Sequence, residues 1–345
     1  MGLRDEIREQ PAVVRRLLAD GRGQVEAIAA KLRSEPIEHV VIAARGTSDH
    51  AAIYAQYLFG ARHRLPVALA APSLTSLYGV EPRFSRSLVV GISQSGASPD
   101  VVGVVAAARR QGVPTVAITN TPGSPLATAA EQAIDLRAGP EVAIAATKTY
   151  AAELTAVAML SAALLGDADA FRALDGVPGA IERALETEAD AARAAASRAA
   201  IAGCVVLGRG FEYATARELA LKLKELARVI ADPYSAADFQ HGPLALVEPG
   251  FPVLAIAPSG AAAAGLLELL ATLRNDYGAD LIVISDRDDA LALGAAGLGL
   301  PAGLPDWLMP IASIVPGQFL AFHLARAKGH DPDSPRHIRK VTLTR

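Results

Sequence analysis

The sequence predicts an α/β fold of two tandem, duplicated, doubly wound parallel-sheet subdomains followed by a C-terminal tail. Three observations carry that expectation. Short apolar runs alternate with helical segments, the pattern of parallel sheets covered on both faces. Glycine turns recur at one spacing, since Gly46 and Gly210, and again Gly96 and Gly260, lie 164 residues apart. A chain of 345 residues, 51% hydrophobic and 20% charged, suits about two domains with a sizeable core.

Taken in order, residues 1–34 read as an N-terminal helical segment, and residues 35–180 as the first subdomain. Its strand candidates are His39–Ala44, Leu65–Ala70, Leu88–Ile92 and Thr115–Thr119, with helices over Ala51–Gly60, Val101–Gln111 and Ala151–Leu165. Residues 181–200, rich in alanine with regular Glu and Arg, read as one connecting helix. The second subdomain, 201–328, repeats the pattern with strands at Cys204–Leu207, Phe251–Ala257 and Ile282–Ser285 and a helix over Phe211–Ile230. Residues 329–345 form a polar tail.

Charge and composition exclude several classes. The balance of 33 basic and 36 acidic residues leaves no basic stripe for a nucleic acid. The single cysteine, Cys204, lies in an apolar run and excludes both a disulfide framework and a paired-thiolate zinc site. No metal and no cofactor are expected, since neither a GxGxxG nor a Walker pattern appears. The charged N-terminus has no apolar signal region, Glu6 breaks the myristoylation pattern, and no stretch is long enough to span a bilayer. A soluble, cytoplasmic protein without a membrane or nucleic-acid partner is therefore expected. Only 6 of the 33 basic residues are lysines, so each lysine is a candidate for a specific task.

Candidate ligand groups cluster at turns. Strand Leu88–Ile92 runs into Ser93-Gln94-Ser95-Gly96-Ala97-Ser98-Pro99, with Ser98 at the N-cap and Pro99 at the first helical position. Thr47 and Ser48 fill the equivalent turn after the neighbouring strand, and Thr147 precedes the Ala151 helix. One such turn is ordinary helix capping; three at one carboxyl edge point to an anion site. In the second copy Pro258 and Ala261–Ala264 replace these polar groups, so no phosphate is expected there. On the Phe211–Ile230 helix, Glu218, Lys222 and Glu225 share a face away from the apolar stripe. The plain reading of that trio is a surface ion pair.

The segments Arg217–Glu225 and Ala237–Leu244, with Ala44–Ser48, the Ser93–Ser98 turn, Glu141…Thr147-Lys148 and Asp331–Lys340, together resemble the double sugar-isomerase (SIS) family. Five motifs in register match the isomerase half of glucosamine-6-phosphate synthase, from Glu6-Ile7…Glu9-Gln10-Pro11 to the tail. The resemblance implies flavodoxin-like subdomains and a phosphosugar substrate. It makes Glu225 the base between C1 and C2, His241 the ring-opening group donated across a homodimer, and Lys340 the Schiff-base lysine. Lys222 then lies near the reacting carbons, while Thr47, Ser48, Ser93, Gln94, Ser95, Ser98, Thr147 and Glu141 serve sugar and phosphate binding. Arg45 stands where the synthase has cysteine, and Ala146 where it commonly has serine. With Gly2 at the N-terminus and Cys204 the one cysteine, glutamine is not expected as nitrogen donor. The expected reaction interconverts glucosamine 6-phosphate and fructose 6-phosphate with free ammonia. Alternatives are a plain aldose–ketose isomerase, a fructosamine-6-phosphate deglycase, or a non-catalytic phosphosugar regulator.

Overall fold

The computed structural model describes residues 2–340; the end of the expected tail, 341–345, lies outside the described residues. The helices are α1 (Leu3–Leu32), α2 (Thr47–His63), α3 (Ser73–Ser76), α4 (Pro99–Arg110), α5 (Pro125–Ala129), α6 (Lys148–Leu165) and α7 (Ala168–Asp175), then α8 (Val177–Leu185), α9 (Glu188–Ala196), α10 (Glu212–Ala227), α11 (Ala236–Phe239), α12 (Ala263–Asn275), α13 (Asp288–Leu291) and α14 (Met309–Ala327). The strands are β1 (His39–Ala43), β2 (Val67–Leu69), β3 (Ser87–Ile92), β4 (Thr115–Thr119), β5 (Gln132–Asp135), β6 (Gly203–Gly208), β7 (Ile230–Ser235), β8 (Pro252–Ile256), β9 (Asp280–Ser285) and β10 (Ala296–Gly299).

The chain divides into two compact units, each holding one sheet. The first-sheet unit comprises Ala12–Glu141, Lys148–Asp175 and residues 339–340. Its strands run in the order β2-β1-β3-β4-β5, with every pairing parallel. The central strand β3 is buried along its whole length, as expected of a strand covered on both faces. Val101, Val104 and Val105 of α4 pack with Leu126 onto Val89 and Ala117. Each such burial stabilises the fold by roughly 1.5–3 kcal/mol. Gly96 is obligatory in the turn after β3, because its φ is +62° and a Cβ would stand 2.1 Å from Ser124 Oγ.

The second-sheet unit comprises residues 2–11, Val142–Thr147 and Gly176–Ile338. Its order, β7-β6-β8-β9-β10, is the same topology, again all parallel. Leu266, Leu269, Leu270 and Leu273 of α12 close on Val205, Val253 and Val283. The four turn glycines that suggested a duplication, Gly46, Gly96, Gly210 and Gly260, all have positive φ.

Three local expectations are corrected. The helix expected over 181–200 is two helices, broken where Thr187 Oγ1 donates to the Ala184 carbonyl at 2.7 Å. The helix expected over Phe211–Ile230 ends at Ala227, because Arg228 adopts a left-handed conformation. Ile230 instead opens β7 and is 77% exposed. The strand expected over Leu65–Ala70 shrinks to the half-exposed edge β2. Strands β5, β7 and β10 carry no clear period-two signal, and β7 even contains Pro233, which only an edge or bulge tolerates.

Candidate functional site

In the first-sheet unit β2 is added on one side of β1 and β3 on the other, so the strand order switches between β1 and β3 and the turns after those two parallel strands flank the crevice where open α/β sheets hold ligands. The predicted residues line these turns. Ser48 is buried at the start of α2 and donates to Glu153 Oε1 at 2.7 Å. Thr47 opens the same helix, after Gly46 at φ +57°. In the turn after β3, Ser93 Oγ accepts from Gly96 N at 3.2 Å and Ser95 Oγ from Ala97 N at 3.3 Å. The Gln94 carbonyl accepts from Thr119 Oγ1 at 3.3 Å and Asn120 N at 3.1 Å. These bonds curl the loop and hold it on the end of β4. Ser98 occupies the N-cap position of α4 with extended backbone, yet its side chain makes no cap hydrogen bond. A hydroxyl at a positive helix end is thereby left for another acceptor.

The same unit joins two residues distant in sequence. Glu141, 7% exposed, accepts from Thr149 N at 3.1 Å on Oε1 and from Thr149 Oγ1 at 2.8 Å on Oε2. Oε2 also receives Lys340 Nζ at 2.6 Å. The tail lysine is thus tied to a carboxylate that the α6 N-terminus already orients. Thr147, 1% exposed, closes the 142–147 segment and belongs to the other unit, so two turns rather than three form this edge within the first-sheet unit.

The second-sheet unit carries the acid–base trio on α10. Lys222 Nζ lies 2.6 Å from Glu225 Oε2 and 3.3 Å from Glu218 Oε1. Side-chain exposure is 1% for Lys222, 0% for Glu218 and 23% for Glu225. The surface ion pair that spacing alone suggested is therefore a buried one, with only Glu225 reaching solvent. Burial by itself would discharge the ammonium, but Glu218 and Glu225 outweigh it and hold the Lys222 pKa above its ordinary value. His241 is exposed, in the turn after α11, and its amide donates to the Asp238 carbonyl at 3.0 Å. Near the N-terminus of α1 the buried Glu6 accepts from Val142 N at 2.5 Å and Ala143 N at 3.2 Å, fixing the 142–147 segment.

Four buried carboxylates escaped the sequence reading. Asp100, 2% exposed, bonds Arg45; Glu153 bonds Ser48; Glu188, 7% exposed, pairs with Arg4 and Arg8; and Glu212, 5% exposed, bonds two hydroxyls on its own unit. Glu153 was visible only as the charge interrupting an apolar helix. Cys204 is 2% exposed and burial pushes its thiol up to about 12, so it is inert at neutral pH. Among the described residues no cluster of three His, Cys, Asp or Glu could hold a metal, and no helix is long and apolar enough to cross a membrane.

Comparison with known proteins agrees with this fold. The chain is 36% identical over 339 residues to a glutamine–fructose-6-phosphate aminotransferase (isomerizing) of Methanothermobacter thermautotrophicus, covering 97% of this chain and 56% of that protein. It therefore spans about half the length of the curated relatives it matches. Among solved structures, a protein of Silicibacter pomeroyi described provisionally as a phosphosugar isomerase superposes with a TM-score of 0.86 at 36% identity, covering 96% of this chain and all of the other. The C-terminal domain of glucosamine-fructose-6-phosphate aminotransferase from Francisella tularensis gives 0.87 at 28% identity, covering 96% of this chain and 98% of that one. With residues 21–163 and 204–326, one stretch on each sheet, both matching the SIS domain, the chain belongs to the SIS domain family.

Proposed function

We propose that this chain is a sugar-phosphate isomerase whose substrates are amino-sugar 6-phosphates, interconverting glucosamine 6-phosphate and fructose 6-phosphate with free ammonia. The observation that carries the isomerase reading is the α10 trio, in which a buried charged Lys222 fixes the partly exposed Glu225 carboxylate. Aldose–ketose exchange moves a proton between C1 and C2 of the open-chain sugar, and a carboxylate held in one orientation suits that transfer. Lys222 supplies positive charge for the oxyanion that develops at the neighbouring carbon. His241 opens the ring, and Lys340 forms a Schiff base with the ketose. Ser93, Gln94, Ser95 and Ser98, with Thr47 and Ser48, receive the 6-phosphate and sugar hydroxyls.

Cys204 takes no part in this reaction, since its thiol is buried and pushed up to about 12. The protein acts in this reading as a homodimer, with the exposed His241 serving the neighbouring copy.

The test is a panel of hexosamine 6-phosphates and hexose 6-phosphates, each beside its unphosphorylated sugar, followed for ammonia release and for ketose formation. Ammonia and fructose 6-phosphate from glucosamine 6-phosphate are expected, with free glucosamine a very poor substrate. Isomerisation of a hexose 6-phosphate without ammonia release would replace the deaminase reading by plain isomerase activity. Binding without turnover of any member would leave a phosphosugar regulator.

A further inference from the structure

We propose that Arg45 is the charged contact to the substrate's phosphate and that Asp100 positions it. This rests on the reading that the turns after β1 and β3 bind the 6-phosphate. Arg45 belongs to the turn after β1, and Asp100 is the second residue of α4, which follows the turn after β3. Arg45 Nε donates to Asp100 Oδ2 at 2.7 Å, so the side chain crosses the switch-point crevice between the two turns. Asp100 Oδ1 accepts from Val101 N at 2.9 Å. The carboxylate is therefore fixed by a backbone amide at the positive end of α4, with a side-chain exposure of 1% against 47% for Arg45.

The anchoring uses only Nε. Among the described residues neither Nη group of Arg45 makes a hydrogen bond, and the side chain is half exposed. A guanidinium held by Nε presents its two Nη groups as a fork, the geometry that meets two phosphate oxygens at once. Every other proposed phosphate contact on these turns is a neutral hydroxyl or amide: Thr47, Ser48, Ser93, Gln94, Ser95 and Ser98. Arg45 is thus the cation of an otherwise uncharged cradle. A cysteine at this position could supply neither the charge nor the fork.

The competing explanation is purely structural, in which the ion pair only ties the β1 turn to α4. Inorganic phosphate as a competitive inhibitor separates the two, with Arg45→Met and Arg45→Lys compared with the wild type. A charge-assisted hydrogen bond contributes roughly 1.5–3 kcal/mol, so Arg45→Met should raise the inhibition constant of phosphate about 10–100-fold. Arg45→Lys, which keeps the charge and loses the fork, should fall between. Asp100→Asn should raise KM for the phosphosugar more than it lowers kcat, since it loosens the fork without touching the reacting carbons. An unchanged inhibition constant in both Arg45 variants, with a lowered Tm, would overturn the proposal and leave a structural pair. Should phosphate fail to compete even in the wild type, the anion-site reading itself falls and Arg45 with it, an outcome plainly distinct from the first.

Discussion

Lys340 Nζ lies 2.6 Å from Glu141 Oε2, and Thr149 holds the same carboxylate through both its amide and its hydroxyl. A chain end of Pro and Asp has little apolar surface of its own and frays unless something docks it. Here a buried carboxylate docks it, on the unit that carries the Ser93–Ser98 turn. In the proposed reaction Glu141 positions the tail lysine through this contact. Borohydride reduction in the presence of fructose 6-phosphate should attach label to Lys340, as peptide mapping would show. Glu141→Gln should cut that labelling while leaving the fold. Label confined to Lys222, or undiminished in the variant, would reduce the tail to a structural role.

The α10 trio makes a second prediction, with separate effects on rate and stability. Glu225→Gln should lower kcat by about 10²–10⁴ with little change in phosphate-dependent binding. A change confined to KM would reassign Glu225 to substrate positioning. Lys222→Met, by contrast, removes the cation 3.3 Å from Glu218, whose side chain is 0% exposed. Removing one partner of a buried pair costs about 3–5 kcal/mol, read as a lower urea midpoint.

His241 gives a third. If the neighbouring copy uses it, mixing a His241→Asn protein with a Glu225→Gln protein should restore activity that neither has alone, after subunits exchange. Mixed preparations that form hybrid dimers yet stay inactive would place His241 and Glu225 in service of the same copy's substrate, or remove His241 from the reaction.

Much of this was legible in the residues, for reasons that also explain the misses. Central strands such as β3 and β9 announce themselves as apolar runs because helices cover both faces. Glycine turns at Gly46 and Gly96 are visible because positive φ selects that residue. Edge strands such as β7, with Asp232 and Pro233 inside it, carry no such mark. Spacing placed Glu218, Lys222 and Glu225 on one helix face, but spacing does not say what covers that face. Whether the trio is solvated or buried is decided by long-range packing. The pairing of Glu141 with Lys340 joins residues 199 apart and has no local signature at all. The same holds for Arg45 and Asp100, whose neighbouring turns meet only because β1 pairs with β3.

The last prediction concerns Glu212, which follows the glycine turn of the second-sheet unit at the position matching Ser48 by the 164-residue spacing. Where Ser48 donates to a carboxylate on α6, Glu212 is itself the carboxylate and receives Thr215 Oγ1 at 2.5 Å and Ser313 Oγ of α14 at 2.7 Å. Burial pushes its pKa up from 4.5 to about 7; the two hydroxyls oppose that rise, while the charges of Asp286 and Asp306 add to it. A carboxyl whose pKa is higher folded than unfolded binds a proton on folding between the two values. Its contribution is therefore full below about 4.5 and is lost as pH rises through about 7. The loss should be on the order of a few kcal/mol. His63 slopes the other way: burial first, then Arg62, lowers its pKa from 6.5 to about 4, so its contribution is present above 6.5 and lost as pH falls through 4. Wild type alone would show a partly cancelled slope. Subtracting the urea-derived stability of Glu212→Gln from that of the wild type removes the His63 part, which both proteins share. The difference should shift against the wild type from pH 4.5 to pH 7 and be level above it. Parallel curves would mean that Glu212 ionises as easily in the folded protein as in the unfolded chain.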